Sequence, residues 1–132
     1  MSVLPGDEMT GYYKDASEIE AVVVGFEDCT TAKDAFTHLS HLTVGTYYLL
    51  NSTSAAALEK MRVGLFRFLD HHGVDRSKYN EQVTRTWLEQ IQNVIQQSDS
   101  DASLVWLTNA VLEQLGAFCL PIEATSEVDP KR

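Results

Sequence analysis

The sequence is poor in cysteine, and this limits what can hold its fold together. Its two cysteines are Cys29 and Cys119, and neither belongs to a CxxC pair or to a set with zinc-ligand spacing. Disulfide scaffolds and zinc modules place more of these residues at short, regular intervals. We therefore expect two reduced structural thiols, although a disulfide between Cys29 and Cys119 stays open as an alternative.

Long apolar runs are also missing. No apolar stretch of the sequence approaches the roughly 20 residues of a membrane-spanning helix. The opening MSVLPGDEMTGYY lacks the basic and then apolar order of a signal peptide. These absences predict a cytoplasmic protein with no membrane partner.

Positive charge is scarce, with ten Lys and Arg residues against nineteen Asp and Glu and a net charge of −9. Proteins that bind nucleic acid concentrate Lys and Arg on one face to neutralise phosphates, so we expect no nucleic-acid partner. The acidity lies at the ends: residues 1–35 carry −6, residues 99–132 carry −4, and residues 36–98 carry +1. All four histidines lie in this middle part, which has no acidic excess.

Familiar catalytic motifs are missing as well. The sequence contains no GxSxG, HExxH, glycine-rich phosphate loop or EF-hand. A chain of 132 residues fits one domain that can bury a core without metals or disulfides. We expect residues 1–16 to form an irregular acidic arm, residues 17–120 a single helical domain, and residues 121–132 an acidic tail.

What the sequence does contain is helical periodicity, with apolar residues recurring every three or four positions. Five helices are predicted, at about residues 17–28, 37–50, 54–72, 78–98 and 102–115. Ser17, Asp75–Ser77 and the SDSD stretch at residues 98–101 suit helix starts, and Gly73 and Gly116 suit helix ends. Short connections usually join antiparallel neighbours. The predicted fold is therefore all-α, an up-and-down bundle of four or five helices.

The second predicted helix begins with FTHLSHL, residues 36–42, which contains two histidines. At 100° per residue, His38 and His41 share a stripe with Gly45 and Tyr48, so both histidines are predicted to face the core. Gly45 costs about 1 kcal/mol of helix propensity relative to alanine. This cost favours a close contact with a neighbouring helix at that position.

Polar residues on the inward stripes of three helices are predicted to meet at one end of the bundle. In an antiparallel bundle the start of the second helix, the end of the third and the start of the fourth lie together. The inward polar residues of these segments are His38, His41, His72, Asn80 and Thr84. Buried polar groups cost about 1–3 kcal/mol each when unpaired, so this cluster is the predicted site.

FTHLSHL, followed by YYLL and by the later KYNEQVTRTW, resembles two motifs of a family of small, uncharacterised bacterial helical proteins. That family pairs an F-x-H-x-x-H-L helix with a Y-H-x-T-x-T-x-x-W helix, and the resemblance covers residues 17–98. It maps the paired histidines onto His38 and His41, and the later motif onto Tyr79, Thr84 and Trp87.

Two positions depart from the family pattern. Asn80 stands where the family has histidine, and Gln82 where it has threonine. The family's third imidazole is therefore missing, which weakens a three-histidine metal site carried over from it. The resemblance implies a shared pocket rather than a particular reaction.

We expect the polar cluster to bind a small polar or aromatic molecule, the usual ligand of a pocket that mixes apolar walls with a few polar groups. If a reaction takes place there, His38 and His41 would be its catalytic residues. The expected ligand-binding residues are Tyr48, His72, Tyr79, Asn80, Thr84 and Trp87.

Three alternatives stay open. In a structural interpretation, His38 and His41 hydrogen-bond to the start of the fourth helix, while Asn80 and Thr84 act as caps. In an enzymatic interpretation, the two histidines transfer protons or share a divalent metal. The third metal ligand would then come from His72, Glu27 or Glu81. In an interaction interpretation, the acidic ends contact a basic partner and an apolar helix face forms a homodimer.

Overall fold

The computed structural model describes residues 12–99 and 101–116, and the regular secondary structure of these residues is entirely helical. The five helices are α1 (Ala16–Glu27), α2 (His38–Asn51), α3 (Ser54–His71), α4 (Glu81–Gln97) and α5 (Leu104–Leu115). Two single 3₁₀ turns, Lys33–Ala35 and Arg76–Lys78, precede α2 and α4. Each helix packs against the next one along the chain. The predicted all-α helical bundle is confirmed.

The structure has the predicted number of helices, but some of them begin at a different N-cap residue from the one predicted. Helix α1 is capped by Asp15, whose carboxylate accepts from the Glu18 amide at 3.2 Å, so Ser17 already lies inside the helix. Helix α3 is capped by Thr53, whose hydroxyl accepts from the Ala56 amide at 3.1 Å. Helix α5 is capped by Ser103, beyond the predicted SDSD.

The start of α4 differs most from its prediction. The Asp75 carboxylate accepts from the Ser77 amide at 2.8 Å and caps only the 3₁₀ turn. Helix α4 begins three residues later than predicted, at Glu81, with Asn80 as its cap. Asp and Asn side chains both stabilise the first turn of a helix. Asp75 therefore caps the 3₁₀ turn, and Asn80 caps the α-helix that follows it.

Two glycines were predicted to end helices, and both lie at helix ends, but only Gly73 adopts a left-handed conformation. Gly73 follows α3 with a φ of 69°, in the left-handed region that glycine tolerates. Gly116 follows α5 with a φ of −62° and keeps a right-handed helical conformation. Cys29, the second residue after α1, adopts a φ of 63° although it is not glycine.

Helix α2 is the central helix and packs against all four others. A Cβ atom at Gly45 would lie 2.9 Å from Ile91 Cδ1 and 3.2 Å from Leu88 Cδ2, so the predicted close contact is confirmed, with α4 as the neighbour. A second close contact joins α3 to α1, where Gly64 faces the ring of Phe26. That ring is fully buried and stacks on Phe36 with centroids 4.8 Å apart.

The segment before α1 is hydrogen-bonded to α5, the last described helix. The side chain of Asn109 on α5 accepts from the Tyr13 amide at 3.2 Å and donates to the Tyr13 carbonyl at 3.0 Å. The Tyr13 hydroxyl also lies 2.9 Å from the Thr43 hydroxyl on α2. The end of the predicted arm is therefore held against α2 and α5 by hydrogen bonds.

Several predictions concern residues that the structure does not describe. Residues 1–11 of the predicted arm, the whole predicted tail and Cys119 lie outside the described ranges. Cys29 is buried, and its thiol lies 3.8 Å from the Arg67 carbonyl oxygen. Among the described helices, none is both long and apolar enough to cross a membrane.

Candidate ligand-binding site

A cavity of about 460 Å³ lies between the first half of α2, the inner face of α3 and the start of α4. Its apolar wall consists of Leu42, Met61, Leu65, Leu69, Val83, Trp87, Leu88 and Ile91. Its polar wall consists of His41, Ser77, Lys78, Tyr79, Asn80 and Thr84. The size and the mostly apolar lining are those of small-molecule sites, which commonly measure about 300–1,000 Å³.

The start of α4 is fixed by short-range bonds, and these place the polar rim of the cavity. The Tyr79 amide donates to the Arg76 carbonyl at 2.9 Å and closes the 3₁₀ turn. The Asn80 side-chain oxygen then accepts from the Val83 amide at 3.0 Å. Asn80 is therefore the cap that the structural interpretation predicted, and its capping bond uses the side-chain oxygen rather than the side-chain N–H groups.

His41 contributes the imidazole of the cavity. Its Nδ1 lies 3.1 Å from the Thr37 carbonyl oxygen, which can only accept, so Nδ1 carries the proton. Its ring packs on Phe36 with centroids 4.6 Å apart. Burial lowers the pKa of His41 to about 4, and the nearby His38 acts in the same direction. At neutral pH the ring is uncharged, with a lone pair on Nε2.

Tyr79 and Glu81 form a hydrogen-bonded pair beside the cavity. The Tyr79 hydroxyl donates to the Glu81 carboxylate at 2.7 Å, and burial raises the pKa of this tyrosine. Arg62 donates to both oxygens of Glu81, at 3.2 and 3.1 Å, and Arg85 lies 3.4 Å away. Hydrogen bonds from Arg62 and Tyr79 lower the pKa of Glu81 to about 2. The Glu81 carboxylate is therefore neutralised by two arginines.

Trp87 forms part of the apolar wall and has one unusual feature. Its side chain is 8% exposed. Its indole nitrogen is buried without a hydrogen-bond partner among the described residues. A buried N–H donor without an acceptor costs about 1–3 kcal/mol of stability.

Five of the eight predicted site residues line this one cavity: His41, Tyr79, Asn80, Thr84 and Trp87. His38 lies behind the wall, where its ring meets the Trp87 ring edge-on with centroids 4.9 Å apart. The Nε2 atom of His38 lies 3.4 Å from the Leu115 carbonyl oxygen. A ring nitrogen of His38 thus lies near the Leu115 carbonyl oxygen of α5, and one of His41 lies near the carbonyl oxygen of Thr37, the N-cap of α2.

Tyr48 and His72 do not line the cavity. The Tyr48 hydroxyl donates to the Glu27 carboxylate at 2.6 Å, near the end of α1. Burial, with Glu27 beside it, raises the pKa of Tyr48. His72 follows α3 and lies 3.1 Å from the Thr31 carbonyl oxygen, with its ring against Phe68. The predicted single cluster is therefore divided between the cavity and the α1 side of α3.

Ser77 and Lys78 line the cavity but were not among the predicted site residues. Both are exposed residues of the short turn before α4, and a charged residue there resembles an ordinary solvated loop residue. The inward stripe of α4 was the useful signal, because Asn80, Val83, Thr84, Trp87 and Ile91 all line the cavity.

The metal interpretation requires a third ligand near His38 and His41. Among the described residues, no group of three or more His, Cys, Asp or Glu side chains is placed to hold a metal ion. The two histidines also point toward different carbonyl groups.

The comparisons with known proteins add no relative. The sequence matches no protein-family model, and it has no significant match among curated proteins or among solved structures.

Proposed function

We propose that the protein binds a small molecule with an aromatic or aliphatic body in the cavity between α2, α3 and α4. The observation that carries this proposal is a cavity of about 460 Å³ with a mostly apolar wall and a few polar groups. A closely packed bundle leaves few voids larger than a water molecule. A gap of this size at the inner face of three helices therefore favours a bound ligand.

His41 would orient the ligand. Because Nδ1–H donates to Thr37, the Nε2 lone pair is left to accept a hydrogen bond from a hydroxyl or N–H group. A histidine with a pKa of about 4 is a weak base at neutral pH, since the best general bases have pKa values near the working pH. The site therefore favours ligand binding over proton abstraction by His41.

Titration with 4-ethylphenol, followed by NMR of the two tryptophan side chains, tests the proposal. The sequence contains Trp87 in the cavity wall and Trp106, which is 50% exposed on α5. We expect a saturable shift of the Trp87 indole N–H resonance and none for Trp106, with a Kd of about 1 mM for so small a probe. A titration without saturable change at Trp87 up to ~10 mM would refute ligand binding in this cavity.

Cavity-filling variants supply the control. Val83→Phe on α4 and Leu69→Phe on α3 place a larger side chain in the cavity from two different helices. Each folded variant should weaken binding by about tenfold or more, because the probe and the new ring compete for one space. Gln90→Phe, on the exposed face of α4, is the matched control and should leave the affinity unchanged. Equal binding by all three variants would exclude the cavity as the site.

A further inference from the structure

The charge around the cavity is opposite in sign to that of the whole protein. The chain carries a net charge of −9. Among the described residues that line the cavity there is one cation, Lys78, and there is no Asp or Glu. The interior of the site is thus a small region without negative charge in an acidic molecule.

The carboxylates nearest to this rim are already engaged. Asp75 lies within electrostatic reach of Lys78, but its carboxylate accepts from the Ser77 amide and caps the turn. Glu81 is held by Arg62 and Arg85. Lys78 forms no ion pair with any residue that the structure describes within 4.0 Å.

Two neutral donors stand beside Lys78 on the same rim. Ser77 contributes a hydroxyl, and Asn80 contributes the N–H groups that its capping role leaves unused. The N-terminus of α4, a helix of 17 residues, adds the positive end of its dipole next to Asn80. An ammonium group, neutral donors and a helix N-terminus are together suited to an anion such as a carboxylate.

We infer that the ligand of this cavity is a small monocarboxylate whose apolar body lies against Trp87 and the leucines and whose carboxylate lies at the Lys78 rim. This inference rests on the proposed function, because it names the class of ligand for the same cavity. It explains why a lysine and two donors stand at the mouth of an otherwise apolar cavity. A neutral or cationic ligand would leave this rim without an anionic partner.

Three phenols that differ in charge test the inference. They are 4-hydroxyphenylacetate, which is anionic, tyrosol, which is neutral, and tyramine, which is cationic. In the NMR titration of the Trp87 indole at low salt, 4-hydroxyphenylacetate should bind about tenfold more tightly than tyramine, with tyrosol between them. Raising the salt concentration should reduce this preference, because the rim is exposed to solvent.

Substitution of Lys78 tests whether this residue causes the preference for the anionic phenol. Lys78→Met should reduce the preference for 4-hydroxyphenylacetate over tyramine to about twofold or less. Lys33→Met is the matched control, because Lys33 is also an exposed residue of a 3₁₀ turn and its loss changes the net charge equally. It should keep the full preference.

The outcomes separate the two proposals. Equal binding of the three phenols, or a preference for tyramine, would overturn the carboxylate inference and leave ligand binding intact. Unchanged preference in Lys78→Met would overturn it too. Failure of all three phenols and of 4-ethylphenol to shift the Trp87 resonance would instead overturn the proposed function itself.

Discussion

At the residue scale, the histidines show how strongly the surroundings decide what one type of side chain does. His38 and His41 are separated by one helical turn, yet one ring meets Trp87 edge-on and the other packs on Phe36 beside the cavity. His72 lies against Phe68 on another side of the bundle. Only His41 combines a fixed proton on Nδ1 with a place in the cavity wall.

The titration of His41 gives a prediction at this scale. Its pKa in the folded protein, about 4, is below the ordinary value of 6.5, so the unfolded chain binds a proton between pH 6.5 and 4 that the folded chain does not. The contribution of this residue to stability should therefore fall by roughly 1–2 kcal/mol as the pH decreases from 7 to 5. Urea unfolding at both pH values measures the loss, and the NMR titration of the His41 ring gives the pKa directly.

The variant His41→Gln should lack this loss of stability between pH 7 and 5. His71→Gln, at the exposed end of α3, is the matched control and should retain it. A titration midpoint near 6.5 for His41 would contradict the prediction and would restore this residue as a base at neutral pH.

At the scale of the helices, two glycines set how closely the elements approach, but for different neighbours. Gly45 lets α2 approach the side-chain ends of Ile91 and Leu88 on α4. Gly64 lets α3 approach the ring of Phe26. A methyl group at Gly64 would lie 2.5 and 2.7 Å from ring atoms of Phe26, which is fully buried and stacked on Phe36.

Alanine substitutions of these glycines should therefore differ in effect. Both gain about 1 kcal/mol of helix propensity. Gly64→Ala should still destabilise the protein by about 2 kcal/mol, because the Phe26 ring cannot move away without disturbing its neighbours. Gly45→Ala should change stability by less than about 1 kcal/mol, since the ends of Ile91 and Leu88 can rotate. Urea unfolding of both variants measures the difference, and equal effects would contradict it.

At the scale of the whole molecule, one buried side chain connects the two ends of the described chain. Asn109 is 2% exposed and binds both backbone groups of Tyr13, which lies 96 positions away in the sequence. The segment before α1 is thereby closed onto α2 and α5. Closing so long a loop costs conformational entropy. The packing of the other helices must offset this cost before the Asn109–Tyr13 hydrogen bonds can add to stability.

Removing this amide should release the segment before α1. Asn109→Ala should lower the free energy of unfolding by about 2–3 kcal/mol, because it removes two partly buried hydrogen bonds and leaves the Tyr13 amide without its partner. It should also abolish the protection of the Tyr13 amide from hydrogen exchange, which NMR measures. Asn93→Ala, on the exposed face of α4, is the control and should change stability by less than ~0.5 kcal/mol. Fast exchange of the Tyr13 amide in the unchanged protein would contradict the role of Asn109.

Sequence patterns predicted the five helices, the all-α bundle and most of the α4 residues that line the cavity. These features depend on local periodicity and on capping, because hydrophobic side chains spaced by three or four residues define a helix face wherever the helix packs. The packing of the helices, which the sequence patterns did not predict, places His72 and Tyr48 outside the cavity that His41 lines. It also places Lys78 at the cavity and Asn109 beside Tyr13. Those results depend on side-chain rotamers and on the gaps between elements far apart in the chain, which helical periodicity does not encode.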